Sequence, residues 1–340
     1  MEDSLQLQQL KQQALDFLDA TLQVIESLGD DVYLLNPAQL AALHVRKAEP
    51  IDIEGQTIDF GPRFFSPRFS LEQAREKTAA YLADHGDLLN GTEWRRCRRG
   101  SCTYFLDPED IHDPDERHPL CTPDQCAEFQ LRWFYDAMGA RGHIPWVDSR
   151  NFGLIDGSDW YHVSGRELEL PSYYAWFERV MDPPRKYAFR AHNALLLENS
   201  EDKPHLGAVV LDATESKEGE VLRSEVAVAV GLLKYQFRRG DFLRHHTLPS
   251  IVFSLQHDRF GRVTQFHFDG RSLIMRQSRL LDFWNAKPTT DAYHMMRWLH
   301  PRAFGQTKFS TGAVQEQELP EVQDDHDTNS GKTRIDVRGS

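Results

Sequence analysis

The sequence predicts an α+β fold, and three observations carry that prediction. The N-terminal stretch places apolar side chains at helical spacing. The C-terminal half is a succession of short apolar runs punctuated by turn residues. The composition, 40% hydrophobic with 11% aromatic, is that of a chain able to bury a sizeable core.

Residues 4–28 read as an amphipathic helix. Leu7, Leu10, Ala14, Leu18, Leu22 and Ile25 recur at spacings of three and four, and Gly29 suits the stop. A second helix is expected from Pro37 to about Arg46, with Asn36 as cap and proline at the first helical position. The alternation in Ile51–Phe60 around Gly55 predicts a hairpin. Residues 61–69 read as a loop with two prolines. Ser70-Leu71-Glu72-Gln73 is a capping box that opens a helix ending before Gly86. A further capping box, Thr122-Pro123-Asp124-Gln125, opens a helix to about Met138, and Pro171-Ser172 starts a short one through Val180.

The strand-rich half follows. Tyr187–Glu198, Leu206–Thr214, Ser250–Gln256, Val263–Phe268 and Ser272–Gln277 read as strands, with Arg259–Arg262 and Asp269-Gly270 as turns. Residues 222–238 read as a helix, although Val226–Val230 also suits a strand. Thr290-Asp291 caps a last helix through Trp298. From about Thr311 apolar residues nearly vanish, so residues 311–340 are expected to form a disordered acidic tail. Residues 1–310 are expected to form a single body. It divides into a helical part (1–89), a cysteine-bearing segment with its helix (90–139) and a strand-rich part (140–310).

The formal charge of −13 opposes phosphate, so duplex nucleic acid is a disfavoured partner. The N-terminal residues lack a charged and then apolar leader, and no run of about 18 apolar residues occurs. An intracellular location, cytoplasmic or nuclear, is expected, with a protein or a small molecule as possible partner.

All four cysteines lie close together: Cys97 and Cys102, then Cys121 and Cys126, two C-x4-C pairs separated by eighteen residues. In a reducing compartment such paired thiols favour a tetrahedral zinc site over disulfides. Gly100 permits a tight turn between the first two sulfurs. The second pair straddles a helix start, whose positive end favours thiolates. His112 and His118 lie between the pairs and could replace one ligand. Free structural cysteines are the alternative. Four closed ligands make the zinc structural. The local pattern resembles a treble-clef arrangement over these thirty or so residues. Arg95, Arg96, Arg98 and Arg99 flank the first pair and either grip phosphate or balance nearby acids.

For chemistry, the candidates are Asp212, Glu215 and Lys217, at the end of the apolar run Gly207–Leu211 and before the 222–238 helix. A buried strand ending in acidic residues and followed by a helix resembles the core of the PD-(D/E)xK nuclease-like superfamily. The resemblance implies a divalent ion, Mg or Mn, held by two carboxylates, with a lysine that positions or activates water. Asp212 would be one ligand, and Glu215-x-Lys217 has the E-x-K spelling. Along a strand, however, Asp212 shares its face with Thr214, and Glu215 to Lys217 falls in a polar loop. The upstream acids on offer are Glu198, Glu201 and Asp202. His245-His246, His192 and His267 read as structural groups rather than ligands, because adjacent histidines point apart and strand histidines are commonly satisfied locally. Trp160-Tyr161-His162 and His143–Trp146 read as core edge or pocket lining.

The segments Leu248–Ser254 and Phe268–Leu273, and the cysteine pattern followed by Asp148-Ser149-Arg150-Asn151, are similar to a family of uncharacterised proteins of filamentous fungi. That resemblance covers most of 90–285 and implies no activity or site residues. It does admit an accessory role in secondary metabolism. The full expectation is an α+β fold with a helical N-terminal part, a zinc-stapled segment and a mostly antiparallel C-terminal sheet with a packed helix. The leading function is non-catalytic binding, and the alternatives are a phosphodiesterase or nuclease-like enzyme centred on Asp212 and the accessory role.

Overall fold

Apolar periodicity at the N-terminus becomes α1 (Glu2–Ser27) in the computed structural model. The model describes residues 2–29, 31–55, 62–79, 158–172, 189–197, 202–242, 244–256, 260–283 and 289–308. The four cysteines, His112, His118, the helix expected over 122–138, most of the segment after Pro171, and residues 311–340 lie outside these. Residues 1–308 form one compact unit.

Ala14, Leu18, Thr21 and Ile25 turn inward from α1, at spacings of three and four. Leu10 was expected on the same stripe but is 50% exposed. The buried face therefore begins at Ala14, two turns beyond Leu7, where the spacing places its start. Gly29 follows the helix without taking a left-handed conformation. α2 (Pro37–Ala42) has the expected cap: Asn36 accepts from the Gln39 N–H, and the Gln39 side chain accepts from the Asn36 N–H. It stops short of Arg46. His44 takes a left-handed φ of 51°, and the chain straightens into β1 (Val45–Lys47), which pairs in parallel with β8 (Leu273–Gln277).

The expected hairpin over Ile51–Phe60 has no first arm. Ile51 and Ile53 are buried, residues 51–55 form no strand, and Ile51 N–H donates to the Gln277 carbonyl at the end of β8. Residues 56–60 are outside the described set. In the proline-bearing loop, β2 (Phe65–Ser66) pairs antiparallel with β10 (Arg302–Ala303) as a small separate sheet. The capping box at Ser70 and Gln73 forms reciprocally and opens helical residues 71–79.

Among the described residues the main sheet has eight strands in the order β1-β8-β7-β6-β5-β4-β3, with β9 (Leu281–Asp282) beside β7. Its other members are β3 (Trp160–Ser164), β4 (Phe189–Leu197), β5 (Leu206–Asp212), β6 (Ser250–Gln256) and β7 (Phe260–Phe268). Most pairs are antiparallel. β5 and β6 run parallel, as does β1 with β8. The parallel pair is joined by α3 (Arg223–Arg239), the crossover that two parallel neighbours require. The ambiguous run Val226–Val230 is thus helix. It is apolar on every side because it is buried on every side, between the sheet and α1. Gly240, at φ 73°, ends it in the left-handed cap that glycine adopts without strain.

Arg259–Arg262 is not a turn: Phe260, Gly261 and Arg262 belong to β7. Gly261 is read as a breaker, yet a side chain there would lie 2.7 Å from the Phe283 ring, so close packing fixes the glycine. Asp269 and Gly270 do turn, with the Asp269 carboxylate accepting from the Arg271 and Ser272 N–H groups. The last helix, α4 (Thr290–Trp298), is capped by Thr289 rather than Thr290 or Asp291.

Two cores sandwich the sheet. On one face Ala208, Val210, Val252, Phe266 and Met275 meet α1 and α3. On the other Val209, Leu211, Ile251, Phe253 and Val263 meet α4, Ile53 and Phe65. The architecture is α+β, with a helical N-terminus and a large mixed sheet carrying a packed helix. No helix among the described residues is long and apolar enough to cross a membrane.

Candidate functional site

Strand alternation builds a polar pole on the α3 face of the sheet. Along β5 the residues facing α3 are Leu206, Ala208, Val210 and then Asp212; along β6 they are Val252, Ser254 and Gln256. β7 adds Arg262 and Thr264 before Phe266, and β8 adds Gln277 beyond Met275. The carboxyl ends of the parallel strands β5 and β6 therefore carry polar groups. Above them sits the N-terminus of α3, with Ser224 and Glu225.

Asp212 is fully buried. Its Oδ1 accepts from the Thr214 N–H at 2.8 Å, and its Oδ2 accepts a short hydrogen bond from the Ser224 hydroxyl. Burial pushes its carboxyl up to about 7, against the pull of those two donors and with help from the nearby Glu225 charge.

Glu225 is also fully buried and is saturated. Oε1 accepts from Ser254 Oγ (2.7 Å), Arg262 Nε (3.1 Å) and Thr264 Oγ1 (3.4 Å). Oε2 accepts from Arg262 Nη2 (3.1 Å), Gln277 Nε2 (3.1 Å) and the Leu222 N–H (3.4 Å). The guanidinium thus grips the carboxylate with two prongs, and both partners are at most 1% exposed. Arg262 Nη2 also reaches Ser216 Oγ at 3.3 Å. Ser216 in turn donates its N–H and hydroxyl to Gln256 Oε1 at 3.1 and 2.7 Å. Lys47, on β1, donates to the Gly219 carbonyl, and partial burial lowers its ammonium, with the Arg262 charge adding to the effect.

The structure keeps the three sequence candidates apart. Asp212 is inside, whereas Glu215 and Lys217 are exposed on the segment after β5. Lys217 N–H donates to Glu220 Oε2 at 2.7 Å, closing a local turn. Among the upstream acids, Asp202 pairs with Lys308 on the surface; Glu198 and Glu201 lie outside the described residues. The second acid near Asp212 is Glu225, and its counter-charge is Arg262. Sequence reasoning missed both. The available signals were an acid just ahead of an Ala/Val run and polar side chains at the helix-facing parity of β6.

The histidines are distributed as expected in part. His245 Nδ1 meets Thr307 Oγ1 at 2.9 Å and His246 Nδ1 meets Thr247 Oγ1 at 2.7 Å, so the adjacent pair serves separate partners. His267 is buried against the Phe64 ring, and burial lowers it to about 4. Trp160 fills the core and donates its indole N–H to the Pro301 carbonyl. His162 faces His300, a pairing the sequence did not suggest. Among the described residues no group of three or more His, Cys, Asp or Glu converges.

The Asp212 environment fixes a pH signature. Its folded carboxyl titrates above the unfolded value of 3.8. The protonated form therefore stabilises the fold fully below that value, and the contribution is lost as pH rises through about 7. In Asp212→Asn, which is neutral throughout, stability should fall less than in wild type between pH 4 and 7. Parallel urea titrations across that range check it; identical slopes contradict it.

No protein-family model, curated protein or solved structure matches this chain.

Proposed function

We propose that this chain is a non-catalytic binding or interaction protein. The observation that supports the reading most is the state of its two best-placed acids. Asp212 and Glu225 sit at the carboxyl end of parallel strands, where α/β sheets commonly place ligand chemistry. Yet their oxygens are taken up by hydroxyl, amide and guanidinium donors of the same chain. A carboxylate that holds a metal must offer a lone pair to it; here Glu225 is saturated, and both oxygens of Asp212 already accept a hydrogen bond, one of them from Ser224 on α3.

Cys97, Cys102, Cys121 and Cys126 supply a structural zinc site in this reading, with the ion stapling a loop to a helix start. Structural zinc contributes about 10–16 kcal/mol in small domains, comparable with a whole domain's stability. Elemental analysis of reduced protein should find one zinc per chain. The four-alanine variant should lack it and lose the cooperative unfolding of that region. Metal-free wild type, or an equally stable variant, contradicts the zinc.

A second reading, a divalent-metal phosphodiesterase, is favoured by one observation: Asp212 at the end of β5 and Glu225 in the first turn of the crossover helix lie near each other. It requires Ser224 and Arg262 to release them. Hydrolysis of an activated phosphodiester such as bis-p-nitrophenyl phosphate, with Mg²⁺ or Mn²⁺, separates the readings. The binding reading expects no turnover that disappears in Asp212→Ala.

A further inference from the structure

The polar pole continues to the β1 edge of the sheet, and one stretch of chain covers it. Val45, Met275, Phe266, Val252 and Val210 share the α3 face. Lys47 is the partner of Met275 and stands on that same face, and Gln277 follows Met275 by two positions. Lys47, Gln277, Arg262, Gln256 and Asp212 thus mark the pole across β1, β8, β7, β6 and β5. Residues 213–221, which join β5 to α3, cross it as a strap.

The sheet holds this strap through donors that meet neutral acceptors. Lys47 Nζ donates to the Gly219 carbonyl, Gln277 Nε2 to the Glu220 carbonyl at 3.3 Å, and Arg262 Nη2 to Ser216 Oγ at 3.3 Å. The Arg262 guanidinium is buried, and its Nε and Nη2 take Glu225 side-on. A guanidinium is planar, so the remaining Nη2–H and one Nη1–H run parallel and form a second fork. One prong of that fork meets Ser216 Oγ. Among the described residues no acceptor meets Nη1. Lys47 likewise has a carbonyl and no carboxylate as its hydrogen-bond partner among the described residues. Burial, and then the Arg262 charge, lower its ammonium against the pull of Glu225 and Glu218. Two cations therefore reach the strap from below, and the buried carboxylate that answers them, Glu225, is already saturated. Glu215 and Glu218 lie exposed on the outer side, with Glu218 Oε2 accepting from the Leu280 N–H at 2.8 Å.

We propose that the strap covers a binding site for the oxyanion group of a small molecule, a carboxylate or a phosphate, held by the second fork of Arg262 together with Lys47 and Gln277. The proposal rests on the binding reading above and names the ligand class. An arginine fork matches the two oxygens of such a group, and lysine adds a point charge beside it. The incoming oxygens take the places of the Ser216 hydroxyl and the Gly219 carbonyl, so neutral hydrogen bonds become charge-assisted ones, which are about twice as strong. In the closed state the strap acts as a stand-in ligand: its hydroxyl and carbonyls occupy the donors that the anion claims when residues 213–221 lift. The Glu225 ion pair is left intact, because the side-on edge of Arg262 stays on its carboxylate.

The test is calorimetric titration of the full chain with inorganic phosphate and, separately, with succinate, at constant ionic strength. Wild type should bind at least one of them saturably, at one site per chain, and the one that binds identifies the group. Lys47→Ala, a change at an exposed position, should weaken binding about 10- to 100-fold, as the loss of one charged hydrogen bond does. Ser216→Ala frees the occupied prong of Arg262 and should tighten binding. A wild-type readout covers the chance that a variant misfolds: the bound anion should slow acetylation of Lys47 relative to Lys203, scored by mass spectrometry. No saturable binding of either anion by wild type and Ser216→Ala, or equal affinity in wild type and a folded Lys47→Ala variant, would overturn the site. That result leaves the non-catalytic reading in place, since that reading fails on a different observation, metal-dependent hydrolysis that disappears in Asp212→Ala.

Discussion

Arg262→Met will destabilise the folded chain by about 3–5 kcal/mol, the cost of leaving a buried charge without its partner. Glu225 is fully buried, and its only counter-charge within hydrogen-bonding distance among the described residues is the Arg262 guanidinium. Ser254, Thr264 and Gln277 would still donate, but neutral donors do not offset a desolvated anion. The same mechanism predicts a rescue. Glu225→Gln in the Arg262→Met background removes the stranded charge and keeps an acceptor for Ser254, so the double variant should regain about 2 kcal/mol or more. Urea unfolding of the three proteins, with midpoint and slope both recorded, checks it. A double variant no more stable than Arg262→Met would mean that the carboxylate is not held as a charge.

Phe253→Ala should cost a similar amount, about 3–5 kcal/mol, for a different reason. Phe253 lies at the middle of β6, paired on both sides by β5 and β7, and is among the largest fully buried side chains. Its ring fills the core between the sheet and α4. Truncation removes transfer free energy and leaves a void that two hydrogen-bonded neighbours prevent from collapsing. Leu10→Ala is the contrast: with Leu10 half-exposed on α1, the change should stay within about 0.5 kcal/mol. Thermal or urea unfolding of both variants tests the assignment of inside and outside. A large effect at Leu10 would mean that the first turns of α1 are covered.

What was legible in the sequence was local. The limits of β6 follow from a run of β-branched and aromatic residues between a proline and the polar Gln256. The caps at Asn36 and Ser70 follow from side chains that satisfy neighbouring backbone N–H groups, a matter of three residues. What was not legible depends on partners far along the chain. β1 is three residues long and exists because β8, more than 200 residues later, offers it a ladder. Phe260–Arg262 looks like a turn until Phe283 is seen to occupy the space beside Gly261.

The candidate site divides in the same way. Asp212 could be placed at a strand end from its neighbours alone. That Glu225 lies near it, gripped by Arg262, could not, because the pairing of two residues 37 apart depends on strand order and register. The His162–His300 contact spans 138 residues. The Asn193 amide beside it is placed by a bulge that inverts the parity of β4, which no alternation rule anticipates.

In the function proposed above, Asp212 and Glu225 are structural fastenings rather than metal ligands. Thermal unfolding of wild type and Asp212→Asn, each titrated with Mn²⁺, tests it most directly, since a ligand that binds only the folded state raises the midpoint. Mn²⁺ should shift the midpoints of both proteins equally or not at all. A Mn²⁺-dependent rise in wild type that vanishes in Asp212→Asn would contradict it.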